Sequence, residues 1–270
     1  MSADRWRDAV VVITGSSRGI GRCVALAAAK RGAKLGLIAR SKAELDAVLA
    51  ETGGNGAVAT ADITDRAEID QAVAALVNEL GPVDILVNNA GAGAYAAFLQ
   101  TDVEVFERLM RLNHLGTVYA TKAVLPSMVE RGKGHIVNIS SIAGRIGTPF
   151  ESAYSASKFA VTALTEALDV EVRPLGVGVS MVNPGPVQTD FFDARGVPYA
   201  RKSPKPVPPE RVANAVLAAV DKDRLEQLVP RMLQGAVVTR HLLPPLFRWG
   251  TARAFRNEVR ERPPSTSDRR

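Results

Sequence analysis

A tyrosine and a lysine four residues apart are side chains whose types and spacing could do chemistry. Tyr154 and Lys158 stand at i and i+4 in the stretch YSASK, which puts a phenol and an ammonium on one face of a helix. A free tyrosine has a pKa of about 10, and a nearby cation lowers it by stabilising the phenolate. Such a pair could move a proton at neutral pH, although this spacing alone occurs in many helices.

A serine is predicted to join this pair. Ser141 lies thirteen residues before Tyr154 and closes the predicted strand Asn138-Ile139-Ser140-Ser141. Ligands of doubly wound α/β proteins bind at the carboxyl ends of the strands. We therefore expect the Ser141 hydroxyl at the place where chemistry would occur.

A glycine-rich turn, Thr14-Gly15-Ser16-Ser17-Arg18-Gly19-Ile20-Gly21, follows the first predicted strand and opens a helix. Such a turn lets backbone N–H groups approach a pyrophosphate, and the helix N-terminus adds partial positive charge. Glycines near a strand also serve ordinary turns, but a position between strand and helix is typical of a dinucleotide site. The Walker A pattern is absent, because no lysine follows the last glycine.

The end of the second predicted strand, Leu37-Ile38-Ala39-Arg40, bears on the choice of coenzyme. An acidic residue there would accept a hydrogen bond from a ribose 2′-hydroxyl and select NAD, but Ala39 stands in its place. Arg40 and Arg18 could instead hold a 2′-phosphate by charge-assisted hydrogen bonds. The pattern predicts NADP(H), with two solvated surface arginines as the alternative.

The elements that must position these residues alternate along the chain. Near-continuous apolar runs predict buried strands, with helical patterns between them. The strands are predicted at residues 9–13, 34–39, 57–61, 83–88, 135–140, 177–182 and near 225–229, and the helices at about 19–31, 41–51, 65–80, 102–131, 152–174 and 209–221. This alternation predicts an α/β fold: a single Rossmann-like doubly wound domain of about seven parallel strands over residues 1–230, with a C-terminal helical extension over 231–270.

Composition narrows the class of protein. Of the 270 residues, 46% are hydrophobic and 23% are charged, which excludes disorder and coiled coil for the chain as a whole. The one cysteine excludes an internal disulfide, no metal site is predicted, and no apolar run reaches the ~18–20 residues of a membrane span. The start of the chain lacks the apolar segment of a secretory signal, so we expect a cytoplasmic protein.

The net charge of +6 belongs to residues 231–270, which hold nine arginines and three acidic residues. We therefore expect no nucleic-acid partner for the main domain.

Taken together, these motifs resemble those of the short-chain dehydrogenase/reductase family. The glycine-rich turn has the spacing TGxxxGIG, the stretch Asn88-Asn89-Ala90-Gly91 matches NNAG, and Tyr154 and Lys158 match YxxxK. Asn113, in NHLG, matches the fourth catalytic position of the family. The motifs occur in the family's order over about residues 9–230, and the thirteen-residue gap favours Ser141 over Ser140.

The resemblance implies an oxidoreductase that transfers hydride between NADP(H) and a secondary alcohol or a ketone or aldehyde. Tyr154 would be the general acid or base, Ser141 would bind the substrate oxygen, and Asn113 would hold a water that relays protons. Lys158 would lower the pKa of Tyr154 and bind the nicotinamide ribose. The implied cofactor residues are Gly15, Ser17, Arg18, Gly19, Ile20, Gly21, Arg40, Asp62, Asn89, Ala90, Gly91, Tyr154, Lys158, Pro184, Gly185, Val187 and Thr189.

Besides a membrane-surface protein whose tail is its main functional part, two other functions stay open. The first is a non-catalytic dinucleotide-binding sensor or scaffold, which the four intact catalytic residues argue against. The second is a 3-oxoacyl thioester reductase, which the about forty residues after Pro230 weaken, because acyl-carrier-protein reductases of the family end shortly there. A homodimer or homotetramer is expected, and the same ending puts the tetramer in doubt.

Two segments could shape a substrate pocket, which we expect to be apolar. Residues 183–208 are long and rich in Pro and Gly, which indicates a lid or an ordered surface connection. Within them, Phe191, Phe192 and Tyr199 would line the pocket or pack beneath the loop.

The tail mixes leucines, aromatic side chains and arginines, as a helix at a membrane surface does. A helix that covers the pocket or a dimer partner is favoured, because Pro244-Pro245 interrupts the pattern. Residues 261–270 are predicted to be disordered.

Overall fold

The computed structural model describes residues 4–200 and 203–261, within which seven strands form one parallel sheet. The strands are β1 (Val10–Thr14), β2 (Lys34–Ala39), β3 (Gly56–Thr60), β4 (Ile85–Asn88), β5 (Gly134–Ile139), β6 (Val177–Pro184) and β7 (Glu226–Val229). Their order is β3-β2-β1-β4-β5-β6-β7, so the direction of winding reverses between β1 and β4. This confirms the predicted doubly wound α/β domain and places its ligand crevice at the carboxyl ends of β1 and β4.

Helices cover both faces of the sheet. They are α1 (Gly19–Ala29), α2 (Lys42–Glu51), α3 (Arg66–Leu80), α4 (Val103–Leu109), α5 (Gly116–Glu130), α6 (Ser152–Val172), α7 (Phe191–Ala194), α8 (Pro209–Asp221), α9 (Gln234–Leu242), α10 (Pro244–Ala254) and α11 (Arg256–Glu261). Helices α1, α2 and α8 bury apolar side chains against one face, and α3, α5 and α6 against the other. The strands are therefore covered on both sides, which explains their near-continuous Val, Ile and Leu content.

The long helix predicted over residues 102–131 is wrong as a continuous helix. The structure has α4, a π-helical turn over Met110–Leu115, and then α5. A π turn inserts one residue into the helical repeat, which a pattern of apolar residues does not show. Asn113 lies in this turn.

The tail after β7 forms three short helices, α9, α10 and α11. The break between α9 and α10 falls at Leu243, directly before Pro244-Pro245, as the prolines predict. No helix in the two described ranges is long and apolar enough to cross a membrane. The disorder predicted for residues 261–270 lies outside the described residues, apart from Glu261, which ends α11.

Candidate active site

A cavity of about 1210 Å³ opens at the carboxyl ends of the strands, and it extends from the glycine-rich turn to the tail. Of the site residues predicted from the sequence, all except Gly21 and Asn113 line this cavity. Those two lie directly behind its wall. A methyl group on Gly21 would be 2.3 Å from Gly15 O, and Asn113 is fully buried.

The glycine-rich turn passes close to the end of β4, and this contact requires glycine. Gly15 has a φ of +64°, and a methyl group there would lie 2.8 Å from Ala90 Cα. The turn leads into α1, whose N-cap residue, Arg18, makes no side-chain capping bond. The first N–H groups of α1 thus retain the arrangement that favours an anion.

Asn89 holds the turn against β4. Its Nδ2 donates to Thr14 O at 3.0 Å and to Gly15 O at 2.9 Å, while Thr14 Oγ1 accepts from the N–H groups of Asn89 and Ala90. The amide side chain therefore positions the wall of the cavity. Sequence analysis did not single out Thr14 for this role, although the residue opens the TGxxxGIG motif.

Both predicted arginines line the cavity near the end of β2. The Arg18 and Arg40 side chains are exposed, and neither forms a hydrogen bond or an ion pair with any residue in the described ranges. Asp62 follows β3, and its Oδ1 accepts from Thr64 N and Thr64 Oγ1, both at 2.8 Å. These hydrogen bonds, with the positive charge of Arg40, hold the pKa of Asp62 below its ordinary value.

Tyr154, Ser141 and Lys158 converge in the middle of the cavity. Ser141 follows β5, and the other two lie on the first turns of α6. Each side chain is buried, and the Lys158 Nζ donates to Ile139 O at 2.8 Å. The Ser141 side chain forms a hydrogen bond with Tyr154 and accepts from Ala143 N at 3.1 Å.

Burial shifts the two titratable groups in opposite directions. It raises the pKa of Tyr154 above its ordinary value, which the Ser141 hydrogen bond opposes in part, and it lowers the pKa of Lys158 to about 8. The lowering of the Tyr154 pKa by Lys158, which the resemblance implies for the working site, stays a prediction. The ammonium lies 5.9 Å from the phenol ring centre.

Asn113 connects the π turn to both neighbouring segments. Its Oδ1 accepts from Ala92 N, and its Nδ2 donates to Ala92 O and Ser157 Oγ, all at 2.9 Å. A methyl group on Gly91 would lie 3.1 Å from Asn113 Oδ1 and 3.4 Å from Lys158 Nζ. The amide therefore fixes the loop after β4 beside Lys158, and the water relay stays a prediction.

The end of β6 lies directly beside Ser141. Ser141 Oγ is 3.4 Å from Pro184 O, and Gly185 N donates to Val229 O at 2.7 Å. Thr189 returns towards the glycine-rich turn, since a methyl group on Gly19 would lie 3.4 Å from its Cγ2. Val187, which is buried, forms a bridge with Val207.

Three aromatic residues of the predicted lid segment, Phe191, Phe192 and Tyr199, line the cavity, which was one of the two arrangements expected for them. The ring centre of Phe191 lies 5.6 Å from that of Tyr154, and Phe192 lies between Phe191 and Tyr199. A methyl group on Gly93 would be 2.6 Å from Phe191 Cζ. Phe191 thus occupies the space between the tyrosine and the loop after β4.

An ion pair that sequence analysis missed closes this side of the cavity. Arg195 NH1 donates to Glu151 Oε1, and both side chains are largely buried. The guanidinium also lies 4.5 Å from the ring centre of Tyr95 and 4.6 Å from that of Phe192. The one signal in the sequence was indirect: Arg195 falls in the predicted lid, and Glu151 precedes Tyr154 by three residues.

The tail lies over the same side. Phe247, Thr251, Phe255 and Glu258 line the cavity, the ring of Phe255 stacks on that of Phe150, and Tyr95 OH donates to Glu258 Oε2. The tail therefore contacts the pocket, which is one of the arrangements that the sequence led us to expect.

The residues present fit a nicotinamide dinucleotide. Methyl groups at Gly15 or Gly21 would collide with backbone atoms of Ala90 and Gly15. Glycine at these positions therefore keeps the turn compact at the N-terminus of α1, where a pyrophosphate would bind. Two guanidiniums without an ion-pair partner among the described residues stand near the end of β2, and a buried proton donor stands in the middle of the cavity. Fold and site together define a dinucleotide-binding α/β protein equipped for proton transfer.

Comparison with known proteins agrees with this class. The model of the short chain dehydrogenase family matches residues 9–197. Dehydrogenase/reductase SDR family member 7B of Mus musculus is 38% identical over 89% of this chain and 79% of its own. The 3-ketodihydrosphingosine reductase of Bos taurus is 34% identical over 83% of this chain and 68% of its own.

Solved structures agree as well. A short chain dehydrogenase/reductase from Burkholderia phymatum in complex with NAD has a TM-score of 0.82 and 28% identity over 90% of this chain and 96% of its own. An alcohol dehydrogenase from Thermococcus sibiricus complexed with 5-hydroxy-NADP has a TM-score of 0.73 and 28% identity over 82% of this chain and 95% of its own. The chain belongs to the short-chain dehydrogenase/reductase family and is an oxidoreductase of that type.

Proposed function

We propose that this protein is an NADP(H)-dependent oxidoreductase that interconverts a ketone or aldehyde and the corresponding alcohol. One observation carries the proposal: Tyr154, Ser141 and Lys158 converge in the same cavity that has the glycine-rich turn at one end. The relative named as a 3-ketodihydrosphingosine reductase supports a ketone as the oxidised substrate. The apolar lining around Phe191 and Phe247 supports an apolar one.

The chain's own residues supply binding and proton transfer. NADPH, when bound, supplies the hydride that reaches the carbonyl carbon. Ser141 donates a hydrogen bond to the carbonyl oxygen and stabilises its developing negative charge. Tyr154 donates its proton to the same oxygen, so that C=O becomes CH–OH, and Lys158 stabilises the phenolate that remains.

Replacing Tyr154 by phenylalanine tests the catalytic assignment. The change removes the proton donor and keeps the ring, so NADPH-dependent carbonyl reduction should fall at least ~10²-fold while NADPH affinity changes little. NADPH absorbance with a panel of ketones and aldehydes measures the first quantity, and cofactor fluorescence the second. Tyr119→Phe, on α5 outside the cavity, is the matched control. Near wild-type turnover in Tyr154→Phe would show that the phenol is not the proton donor.

Arg40→Ala tests the choice of NADP(H). If the guanidinium binds the 2′-phosphate, kcat/KM for NADPH should fall at least ~10-fold while that for NADH stays nearly constant, because a charge-assisted pair is lost only with NADPH. The loss should shrink at high salt, since the side chain is exposed and screened. Arg66→Ala, an exposed arginine on α3, is the control.

Ala39→Asp should move preference further towards NADH, because a carboxylate accepts from a 2′-hydroxyl and repels a 2′-phosphate. Equal use of both coenzymes by the wild type would mean that the arginines are surface residues.

The assembly and location complete the proposal. A cytoplasmic homodimer that pairs the faces of α4, α5 and α6 is consistent with exposed apolar side chains on two of these helices, Val103 and Val170. Sedimentation velocity of the full chain tests the dimer, and cell fractionation tests the location.

A further inference from the structure

The tail contains the largest concentration of exposed apolar side chains in the described part of the chain. Met232, Val238, Leu242, Leu243, Leu246, Trp249 and Val259 are all exposed, whereas residues 4–200 contribute five such side chains. Isolated exposed apolar residues are ordinary, but several on one short segment indicate an interaction surface.

Helix α10 has two different sides. Phe247 and Thr251, at i and i+4, line the active-site cavity. Trp249 lies two residues from Phe247, about 200° around the helix, and is 62% exposed. Leu246 on α10 and Leu242 at the end of α9 are 52% and 74% exposed. We call these three the outer apolar residues.

Helix α10 is held at both ends and has no buried residue of its own. Before its N-terminal end, Arg240 of α9 donates to Arg145 O and lies 4.9 Å from the ring centre of Phe159. At its C-terminal end, Phe255 is buried and stacks on Phe150. A short helix draws most of its stability from burying an apolar face. The outer apolar side of α10 is not buried against any described residue.

Charge identifies the partner of this side. Residues 231–270 hold nine arginines and three acidic residues, and Arg248, Arg253 and Arg256 are exposed next to the outer apolar residues. Arg253 lies over the ring of Trp249, at 5.9 Å from its centre. Leucine and tryptophan flanked by arginine is the composition of a helix that lies in the interface of an anionic lipid layer.

We propose that the outer side of α10, with Leu242 of α9, docks on an anionic lipid surface. The same helix then contacts lipid on one side and the substrate cavity on the other, so an apolar carbonyl or alcohol dissolved in the lipid reaches the cavity beside α10. This second step rests on the proposed function, whereas docking itself does not. The break at Pro244-Pro245 shortens the helix that can insert into the lipid, but the outer apolar residues on both sides of the break stay exposed.

Vesicle binding of the full chain, without substrate or cofactor, tests the docking. Wild type should co-sediment with phosphatidylglycerol/phosphatidylcholine vesicles, less with pure phosphatidylcholine, and less at 0.5 M salt. The chain has two tryptophans and Trp6 is fully buried, so a blue shift of emission on binding reports Trp249.

Leu242→Ser/Trp249→Ser should lower the partition coefficient at least ~10-fold, a change of about 1.4 kcal/mol. Leu99→Ser/Leu175→Ser, two exposed leucines outside the tail, is the matched control and should bind as wild type does. Both variants should reduce a water-soluble ketone at the wild-type rate, which separates docking from catalysis.

Three results would overturn the proposal: no sedimentation of wild type, equal binding by both double variants, or a changed oligomer mass in Leu242→Ser/Trp249→Ser with vesicle binding unchanged. The last would show that a second copy of the chain covers this surface.

Discussion

At the scale of single residues, the two titratable side chains of the site have different protonation ranges. Burial holds Tyr154 in its neutral form well above neutral pH, and it brings the pKa of Lys158 down to about 8. As the pH rises, Lys158 therefore loses its proton before Tyr154 does. The pH dependence of the reaction should therefore report the lysine first.

Carbonyl reduction should decrease as the pH rises through about 8. Below that pH, Lys158 is charged and can stabilise the phenolate that forms when Tyr154 gives up its proton; above it, this charge is lost. In Lys158→Arg the descending limb should move above pH 10, because a guanidinium stays protonated there. The measurement is the pH profile of kcat/KM for the ketone, and the same limb in both proteins would assign it to another group.

Site residues that belong to sequence motifs could be predicted from the sequence, whereas residues that reach the site only through the folding of distant segments could not. The glycine-rich turn, Asn89, Ser141 and the Tyr154–Lys158 pair stand at fixed offsets from predicted strands, so a sequence places them in one cavity. The Arg195–Glu151 pair joins two segments forty-four residues apart, and no local pattern marks either member.

At the scale of elements, the π turn shows where a helical pattern misleads. The apolar residues of 102–131 fit one helix, but the turn over Met110–Leu115 brings Asn113 into contact with Ala92 and Ser157. Three hydrogen bonds to a buried amide offset the irregular backbone. Such a bond network depends on two segments distant in sequence, so the pattern of residues 102–131 alone could not have shown it.

The segment around α7 is fixed by the Arg195–Glu151 pair. In Arg195→Met the Glu151 carboxylate loses its guanidinium partner in a largely buried position, which costs part of the free energy that holds the segment. Because α7 has four residues and none is buried, this cost should appear as local opening of the segment. We expect faster proteolytic cleavage near residues 191–199 and a higher KM for the ketone, with Tm changed little.

The double variant Arg195→Met/Glu151→Gln provides the control. It removes both charges, so the cleavage rate should return most of the way to that of wild type. If the single and double variants are cleaved at the wild-type rate, the ion pair does not hold the segment.

At the scale of the whole molecule, the doubly wound parallel sheet followed from the alternation of elements, whereas the place of the tail did not. Phe255 contacts Phe150 and Glu258 contacts Tyr95, across more than a hundred residues of sequence. The same residues could equally have covered a partner. The contacts that decide between these arrangements are contributed by the body of the domain and are specified by packing in three dimensions.

The opposite end of the sheet contains a buried titratable group that links stability to pH. His135 on β5 is 3% exposed, and its Nε2 lies 2.8 Å from Ser180 Oγ on β6. Burial lowers the pKa of His135 to about 4, which the carboxylate of Asp223, 3.9 Å from Nδ1, opposes only in part. The folded chain therefore keeps this imidazole neutral in a range where the unfolded chain, with a pKa of about 6.5, binds a proton.

The free energy of unfolding should consequently fall as the pH decreases from about 6.5 to about 4, because the unfolded state binds more protons there. For a pKa of about 4 in the folded state, His135 accounts for about 2 kcal/mol of this loss between pH 7 and pH 5. Urea unfolding at both pH values measures it in wild type, in His135→Gln and in His241→Gln, a variant of an exposed histidine. His135→Gln should lose less stability than wild type between pH 7 and pH 5 by that amount, and His241→Gln should follow wild type. Equal losses in all three proteins would mean that His135 binds its proton in the folded state as readily as in the unfolded one.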